Sequence, residues 1–296
     1  MAGVHGRVPS YHQSRNSTIG REGAALRAGI DFQRRPIYIP VMDAGKYLEH
    51  YKLQAGWLAP SRHYLFRRAN LARCRSVLDL GCGCGVISEE LHQVCGHPVL
   101  GVDRDPDMVS SARENFPANE YLVGDERVLA EKGARFDLIV LSFVLMWQQR
   151  PLTFLKRVRK LLAANGRLLV LAEPDYGGRI DFPVQLDFLK DIFSGHIQRA
   201  GGDPFIGRRL ASLLRRSGFQ AEVELASGLH FPGGGDGIAA GRAAWEREWR
   251  FWQELAGFSD ATLRKILRLE KSAAARQERL VLFPVFCALA TPRAGR

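Results

Sequence analysis

Between Val77 and Gly85 the chain reads VLDLGCGCG, an apolar run that passes into a turn where Gly81, Gly83 and Gly85 alternate with Cys82 and Cys84. Glycines in such a turn admit positive φ and leave no Cβ between the backbone and a ligand, so a bound molecule can lie directly on the main chain. A tight strand-to-helix crossover without a ligand uses similar residues, and the turn alone leaves both readings open. Asp103 follows in PVLGVDRDPDMV at the interval that a βαβ unit requires. An acidic side chain at the carboxyl end of a second strand can accept hydrogen bonds from both hydroxyls of a ribose. Turn and carboxylate together point to a nucleoside. No Lys-Ser or Lys-Thr pair follows the glycines, which excludes a P-loop, and the G-x-G-x-G spacing departs from the G-x-G-x-x-G of dinucleotide folds. Asp105 and Asp107 flank Pro106 and read as first-turn residues that complement a helix dipole.

These groups need a frame, and the pattern supplies one. Strand and helix signals alternate as strand 76–80, helix 85–95, strand 98–102, helix 106–115, strands 120–123 and 136–141, helix 151–162 and strand 167–172. The all-apolar run LLVLA (168–172) suits a parallel strand covered on both faces, and the alternation predicts βαβ units. Beyond it, 183–198 and 204–216 read as amphipathic helices, 219–225 and 280–290 as strands, with the glycine-rich FPGGGDG (231–237) and a helical stretch over 239–275 between them. Residues 42–70 have a helical pattern interrupted at Gly56 and Pro60. The domain expectation is a flexible basic tail (1–35), an N-terminal helical flank (36–75), a ligand-binding core (76–175), and the rest of the core with substrate-cap insertions near 177–202 and 230–279 (176–296).

The 296 residues carry 46% apolar and 25% charged side chains, the composition of a packed globular protein. No apolar run reaches the roughly 18–20 residues that span a bilayer, and the first residues lack a secretory apolar stretch. The expectation is a cytoplasmic protein with no membrane association. Five cysteines (Cys74, Cys82, Cys84, Cys95, Cys287) show no disulfide-framework spacing and are expected as thiols. Cys82 and Cys84 have no matching pair elsewhere, so no metal site is expected. The net charge of +11 makes a nucleic-acid partner worth weighing, but it is spread over solvated helix faces without an aromatic-interleaved basic module, and that partner is not favoured.

The glycine turn and Asp103 resemble the class I S-adenosylmethionine-dependent methyltransferases, whose first motif typically looks like VLDLGCGTG and whose second ends in an acidic residue. YLVGDERVL, FDLIVLSFVLMW and LKRVRKLLAANGRLLVLAEPD are similar, in order and interval, to the family's third, fourth and fifth strand regions, so that the likeness covers Ser76 to Asp175. The resemblance implies an α/β fold with a doubly wound, mostly parallel seven-stranded sheet, N-terminal helices and a helical insertion before the last strand; AEVELA and LVLFPVFCALA would form the antiparallel edge. It implies S-adenosyl-L-methionine as cofactor. Gly81, Cys82, Gly83 and Gly85 would wrap its methionine moiety over Asp79, and Asp103 would hold the ribose. Arg104 and Met108 would lie near the adenine, Asp125, after Gly124 at the end of the third strand, would hold its amino group with Glu126 beside it, and Ser142 would line the pocket.

Methyl transfer from a sulfonium is an in-line displacement that an enzyme can drive by holding the reactants at near-attack distance, so no universal catalytic residue is required. Glu173, Asp175 and Tyr176 in EPDYGG, and His196 on the helix after it, are candidates for a general base; the competing reading makes the carboxylates loop caps and His196 a surface residue. EPDY also departs from the Asn/Asp-Pro-Pro-aromatic motif of base-modifying members. Trp245, Trp249 and Trp252 share one helical face, either as packing or as an aromatic lid over an apolar or planar substrate. The leading expectation is a small-molecule methyltransferase; the alternatives are RNA or protein as acceptor, or a non-catalytic cofactor-binding or assembly module.

Overall fold

The computed structural model describes residues 44–226, 229–230 and 238–293. The expected tail over 1–35 and the FPGGGDG segment lie outside them. In chain order the elements are α1 (Ala44–Arg68), β1 (Val77–Leu80), α2 (Val86–Cys95), β2 (Leu100–Asp103), α3 (Pro106–Asn115), β3 (Glu120–Val123), α4 (Glu126–Glu131), β4 (Phe136–Ser142), α5 (Pro151–Lys160) and β5 (Leu162–Pro174). They continue as β6 (Ile180–Phe182), α6 (Leu189–Arg199), α7 (Leu210–Arg216), β7 (Phe219–Ala226), β8 (Leu229–His230), α8 (Ile238–Ala256), α9 (Asp260–Ala275), β9 (Leu280–Leu282) and β10 (Val285–Pro292).

Seven strands form one sheet in the order β3-β2-β1-β4-β5-β10-β7. The first five are parallel, and β10 runs antiparallel to both β5 and β7. Strands β4 and β5 carry the centre: Leu138, Ile139, Val140 and Leu141 face Leu168, Leu169 and Val170, all fully buried. Such runs need cover on both faces, and separate clusters of buried side chains lie on the two sides of the sheet. The chain runs outward from β1 through β2 to β3, then returns to place β4 on the other side of β1. That reversal opens a crevice at the carboxyl ends of β1 and β4, the ligand position in doubly wound sheets.

Local chemistry explains several boundaries. Asp105 accepts from the N–H groups of Asp107 and Met108 while Pro106 takes the first helical position, so α3 starts where the sequence places it. Ser259 caps α9 through the Thr262 N–H, dividing the expected 239–275 helix into α8 and α9.

Four expectations are corrected. Helix α1 runs unbroken through Gly56 and Pro60, because both are exposed and its other face buries Tyr47, Leu48, Ala55, Leu58, Leu65 and Phe66; packing overrides two poor helix formers. The expected 280–290 strand is two. Pro284 has no N–H to offer a ladder, so β9 joins β6 and β8 in a separate three-stranded sheet and β10 enters the main one. Residues 183–198 form a 3-10 turn at Val184–Leu186 followed by α6, and 204–216 form a 3-10 turn at Gly207–Arg209 followed by α7. Helix α4, too short for a periodic signal, was not expected. The small sheet is locked by Arg279, whose fully buried guanidinium donates to Asp181 (2.7 Å) and Glu270 (2.8 Å).

Candidate functional site

Strand β1 delivers the chain into the glycine turn, where the N–H groups of Gly81 and Cys82 both donate to the Val102 carbonyl (2.7 and 3.2 Å) and tie the turn to β2. Gly81 has φ +83, and a Cβ there would stand 2.5 Å from a Val144 methyl carbon, so only glycine lets the loop after β4 close on the turn. Asp103, at the end of β2, accepts from the N–H of Gly83 (2.9 Å) with one carboxylate oxygen and from that of Asp105 (3.0 Å) with the other. Asp79 is buried beneath the turn and accepts from the Ser88 hydroxyl at 2.6 Å. Burial pushes its carboxyl up to about 7, opposed by the Ser88 bond. Asp125 caps α4 through the Arg127 N–H (2.9 Å), and the Arg127 guanidinium beside it holds its carboxyl below the usual range. Glu126 is buried against Arg157 at 3.0 Å.

A cavity of about 1010 Å³ opens at these strand ends. Asp79, Gly81, Cys82, Gly83, Asp103 and Arg104 line it, as do Met108, Gly124, Asp125, Glu126 and Ser142. Gly85 is the exception among the expected cofactor residues: a Cβ there would meet the Tyr121 hydroxyl oxygen at 2.6 Å and the Ala112 Cβ at 3.0 Å. It is a packing glycine that seats α2 against α3 and β3.

The base candidates separate. Glu173 is fully buried and accepts from the N–H groups of Val144 (3.0 Å), Leu145 (2.7 Å) and Met146 (3.1 Å); burial pushes its carboxyl up to about 8 against those three donors. Asp175 is gripped by Arg208, whose Nε and Nη2 both lie at 2.6 Å. Neither lines the cavity; both are loop caps. Tyr176 and His196 do line it. Burial pushes the Tyr176 phenol well above its usual range, and burial followed by Arg199 pushes His196 down to about 4. His196 is therefore a buried neutral imidazole, not a surface residue.

Sequence reasoning did not single out Tyr47, His50 and Tyr51 as residues of the wall opposite the sheet. Helix α1 contributes Tyr47, His50 and Tyr51, and α8 contributes Phe251 and Trp252. Tyr51 covers the turn, with a ring carbon 3.0 Å from where a Gly83 Cβ would be. The His50 ring stacks on Phe251 (4.1 Å, 10°), and Trp252 meets Phe193 edge-on at 4.6 Å. The helical spacing of Tyr47, Tyr51 and Leu58 was readable, but not which side chains of this flank face the cavity. The tryptophan stripe divides: Trp249 is core packing against Phe193, Trp252 is cavity wall, and the Trp245 side chain lies outside the described residues. Among the described residues no helix is long and apolar enough to cross a membrane, and no cluster of His, Cys, Asp or Glu could hold a metal ion.

The residues suit a nucleoside bearing a cationic tail. Carboxylates at the ends of β2 and β3 are hydrogen-bond acceptors, the turn exposes main chain, and among the described residues no lysine lines the cavity. The strand order and this cavity define a Rossmann-like α/β domain of the methyltransferase type. Residues 78–170 match the family model described as a methyltransferase domain. An uncharacterised methyltransferase of Schizosaccharomyces pombe is 32% identical over 127 residues, 40% of this chain and 48% of that protein. A trans-aconitate 2-methyltransferase of Methylobacterium radiotolerans is 32% identical over 164 residues, 52% of this chain and 58% of that protein. The chain thus spans about half the length of the curated relatives it matches. In fold it is similar to a Bacillus halodurans C-125 protein, itself assigned as a methyltransferase (TM-score 0.53, 13% identity, 79% of this chain and 99% of the other).

Proposed function

We propose that this protein transfers a methyl group from S-adenosyl-L-methionine to a small-molecule acceptor. The observation that carries the reading is that eleven residues expected from four separate motifs, from Asp79 to Ser142, converge on one cavity at the sheet's reversal point. When bound, the cofactor would supply a cationic sulfonium with an electrophilic methyl carbon. In this reading Asp103 accepts from the ribose hydroxyls, the main chain of Gly81–Gly83 runs along the methionine moiety, and Asp79 supports the turn from below. Asp125 accepts from the adenine amino group with Glu126 beside it, Gly124 leaves it room, Arg104 and Met108 flank the base, and Ser142 borders the pocket. Carboxylates on this side of the cavity favour a cation electrostatically. Helix α1, the 177–202 segment and the 230–279 insertion serve as the acceptor's cap and exclude water from the reacting centre. The trans-aconitate relatives support a small acceptor. A cytoplasmic setting is part of the proposal, supported by cysteines without disulfide-framework spacing.

Calorimetry with S-adenosylhomocysteine tests this. The wild type is expected to bind, and Asp103→Ala to weaken binding by about 1–3 kcal/mol, the range for hydrogen bonds to a charged group. Absence of binding to the wild type would overturn the proposal.

A further inference from the structure

We propose that His50 and Glu248 form a base dyad in the cavity wall and that the acceptor is a phenol whose hydroxyl proton His50 removes. This rests on the methyltransferase reading and adds to it an acceptor class and a catalytic residue.

The two residues come from helices outside the matched 78–170 segment and meet only in the folded chain. His50 Nδ1 lies 2.9 Å from Glu248 Oε2, and the side chains are 6% and 4% exposed. The other Glu248 oxygen accepts from Trp252 Nε1 at 2.7 Å, which fixes the carboxylate plane. Phe251 stacks on the imidazole at 4.1 Å and Trp252 stands edge-on at 6.0 Å, so the ring has little rotational freedom. An ionised carboxylate only accepts, so the neutral ring must carry its proton on Nδ1, leaving Nε2 as the basic nitrogen. Nε2 has no hydrogen-bond partner among the described residues, and His50 lines the cavity. Its ring centroid is 5.7 Å from that of Tyr51, the side chain that covers the glycine turn. A packing contact between two helices would need no desolvated carboxylate, since apolar residues of similar volume serve as well or better.

The other candidates do not compete. Glu173 and Asp175 are tied off in loop caps, and Tyr176 holds its proton too tightly. A carboxylate acceptor arrives without a proton and needs no base, whereas a hydroxyl needs one. Walls of Tyr47, Tyr51, Tyr176, Phe251 and Trp252 suit a flat aromatic carrier of that hydroxyl. In the step, His50 Nε2 takes the hydroxyl proton as an oxygen lone pair forms the bond to the methyl carbon. The carbon–sulfur bonding pair stays on sulfur, which becomes a thioether, and His50 then releases the proton to water. Glu248 is a positioning residue that selects the tautomer and stabilises the imidazolium.

The test uses the full chain and two readouts. Labelled methyl transfer from S-adenosylmethionine is measured to catechol, 4-methylphenol, 1-naphthol and 2-naphthol, with trans-aconitate and benzoate as carboxylate probes. Transfer to a phenol is expected. His50→Ala should lower kcat about 100- to 10,000-fold, with KM and S-adenosylhomocysteine affinity changed less than about fivefold and partial rescue by added imidazole. Independently of turnover, long-range proton–nitrogen spectra of the S-adenosylhomocysteine complex should show His50 with its proton on Nδ1, a preference lost in Glu248→Gln. Transfer to carboxylates alone or to no probe, unchanged kcat in His50→Ala, or a wild-type proton on Nε2 would each overturn the inference while S-adenosylhomocysteine still binds. Failure to bind S-adenosylhomocysteine would instead remove the methyltransferase reading on which it rests.

Discussion

Glu173 stands at the end of a central strand among candidate acids, yet its chemistry is spent on the backbone. Three consecutive N–H groups, of Val144, Leu145 and Met146, converge on it, and Val144 is the residue that closes over Gly81. A glutamine cannot accept with both terminal atoms, so Glu173→Gln is expected to strand one buried donor and lower stability by about 1–3 kcal/mol in urea unfolding. His196 behaves oppositely. Its pKa falls from 6.5 in the unfolded chain to about 4 when folded, so its contribution is complete above about pH 6.5 and is lost as pH falls toward 4. The wild type should lose on the order of 2–3 kcal/mol over that interval from this group alone. His196→Gln should flatten that part of the stability–pH curve; equal slopes for both proteins would refute the assignment.

At the level of elements, α1 is the informative case. Pro60 cannot donate to the carbonyl of Gly56, and its ring crowds that group, yet the helix continues because its buried face packs on α2, α3 and α8. Pro60→Ala is therefore expected to raise unfolding free energy by about 1–3 kcal/mol without changing affinity for S-adenosylhomocysteine, as Pro60 does not line the cavity. A destabilised variant would refute this expectation. The same element carries Tyr47, His50 and Tyr51 to the cavity wall.

For the whole molecule, a ligand that binds only the folded state links site and stability. At 100 times its Kd, S-adenosylhomocysteine should add about 2.7 kcal/mol and raise the melting temperature of a domain this size by roughly 5–10 °C. Scanning calorimetry reads this directly, and Asp103→Ala should need correspondingly more ligand for the same shift. The +11 charge gives no comparable lever, because several cavity cations are already engaged: Arg62 with Glu90, Arg127 with Asp125 and Arg157 with Glu126.

The alternation of strands and helices, the glycine turn and the place of Asp103 at the end of β2 were legible in the sequence. Each rests on short-range physics: apolar periodicity, capping chemistry and positive φ act within a few residues and write themselves into consecutive letters. Gly85 was ambiguous in the sequence because a glycine that admits a ligand and one that admits a neighbouring helix are the same residue; only the positions of Tyr121 and Ala112 show what packs on it. The division of 280–290 between two sheets, the persistence of α1 past Pro60, and the removal of Glu173 and Asp175 from the cavity depended on partners far away in the chain. His50 and Glu248 are 198 positions apart, and no local pattern relates them. Their meeting was decided by the tertiary structure alone, because a buried carboxylate must be given hydrogen-bond partners, and the imidazole that supplies one arrives on a helix distant in the chain.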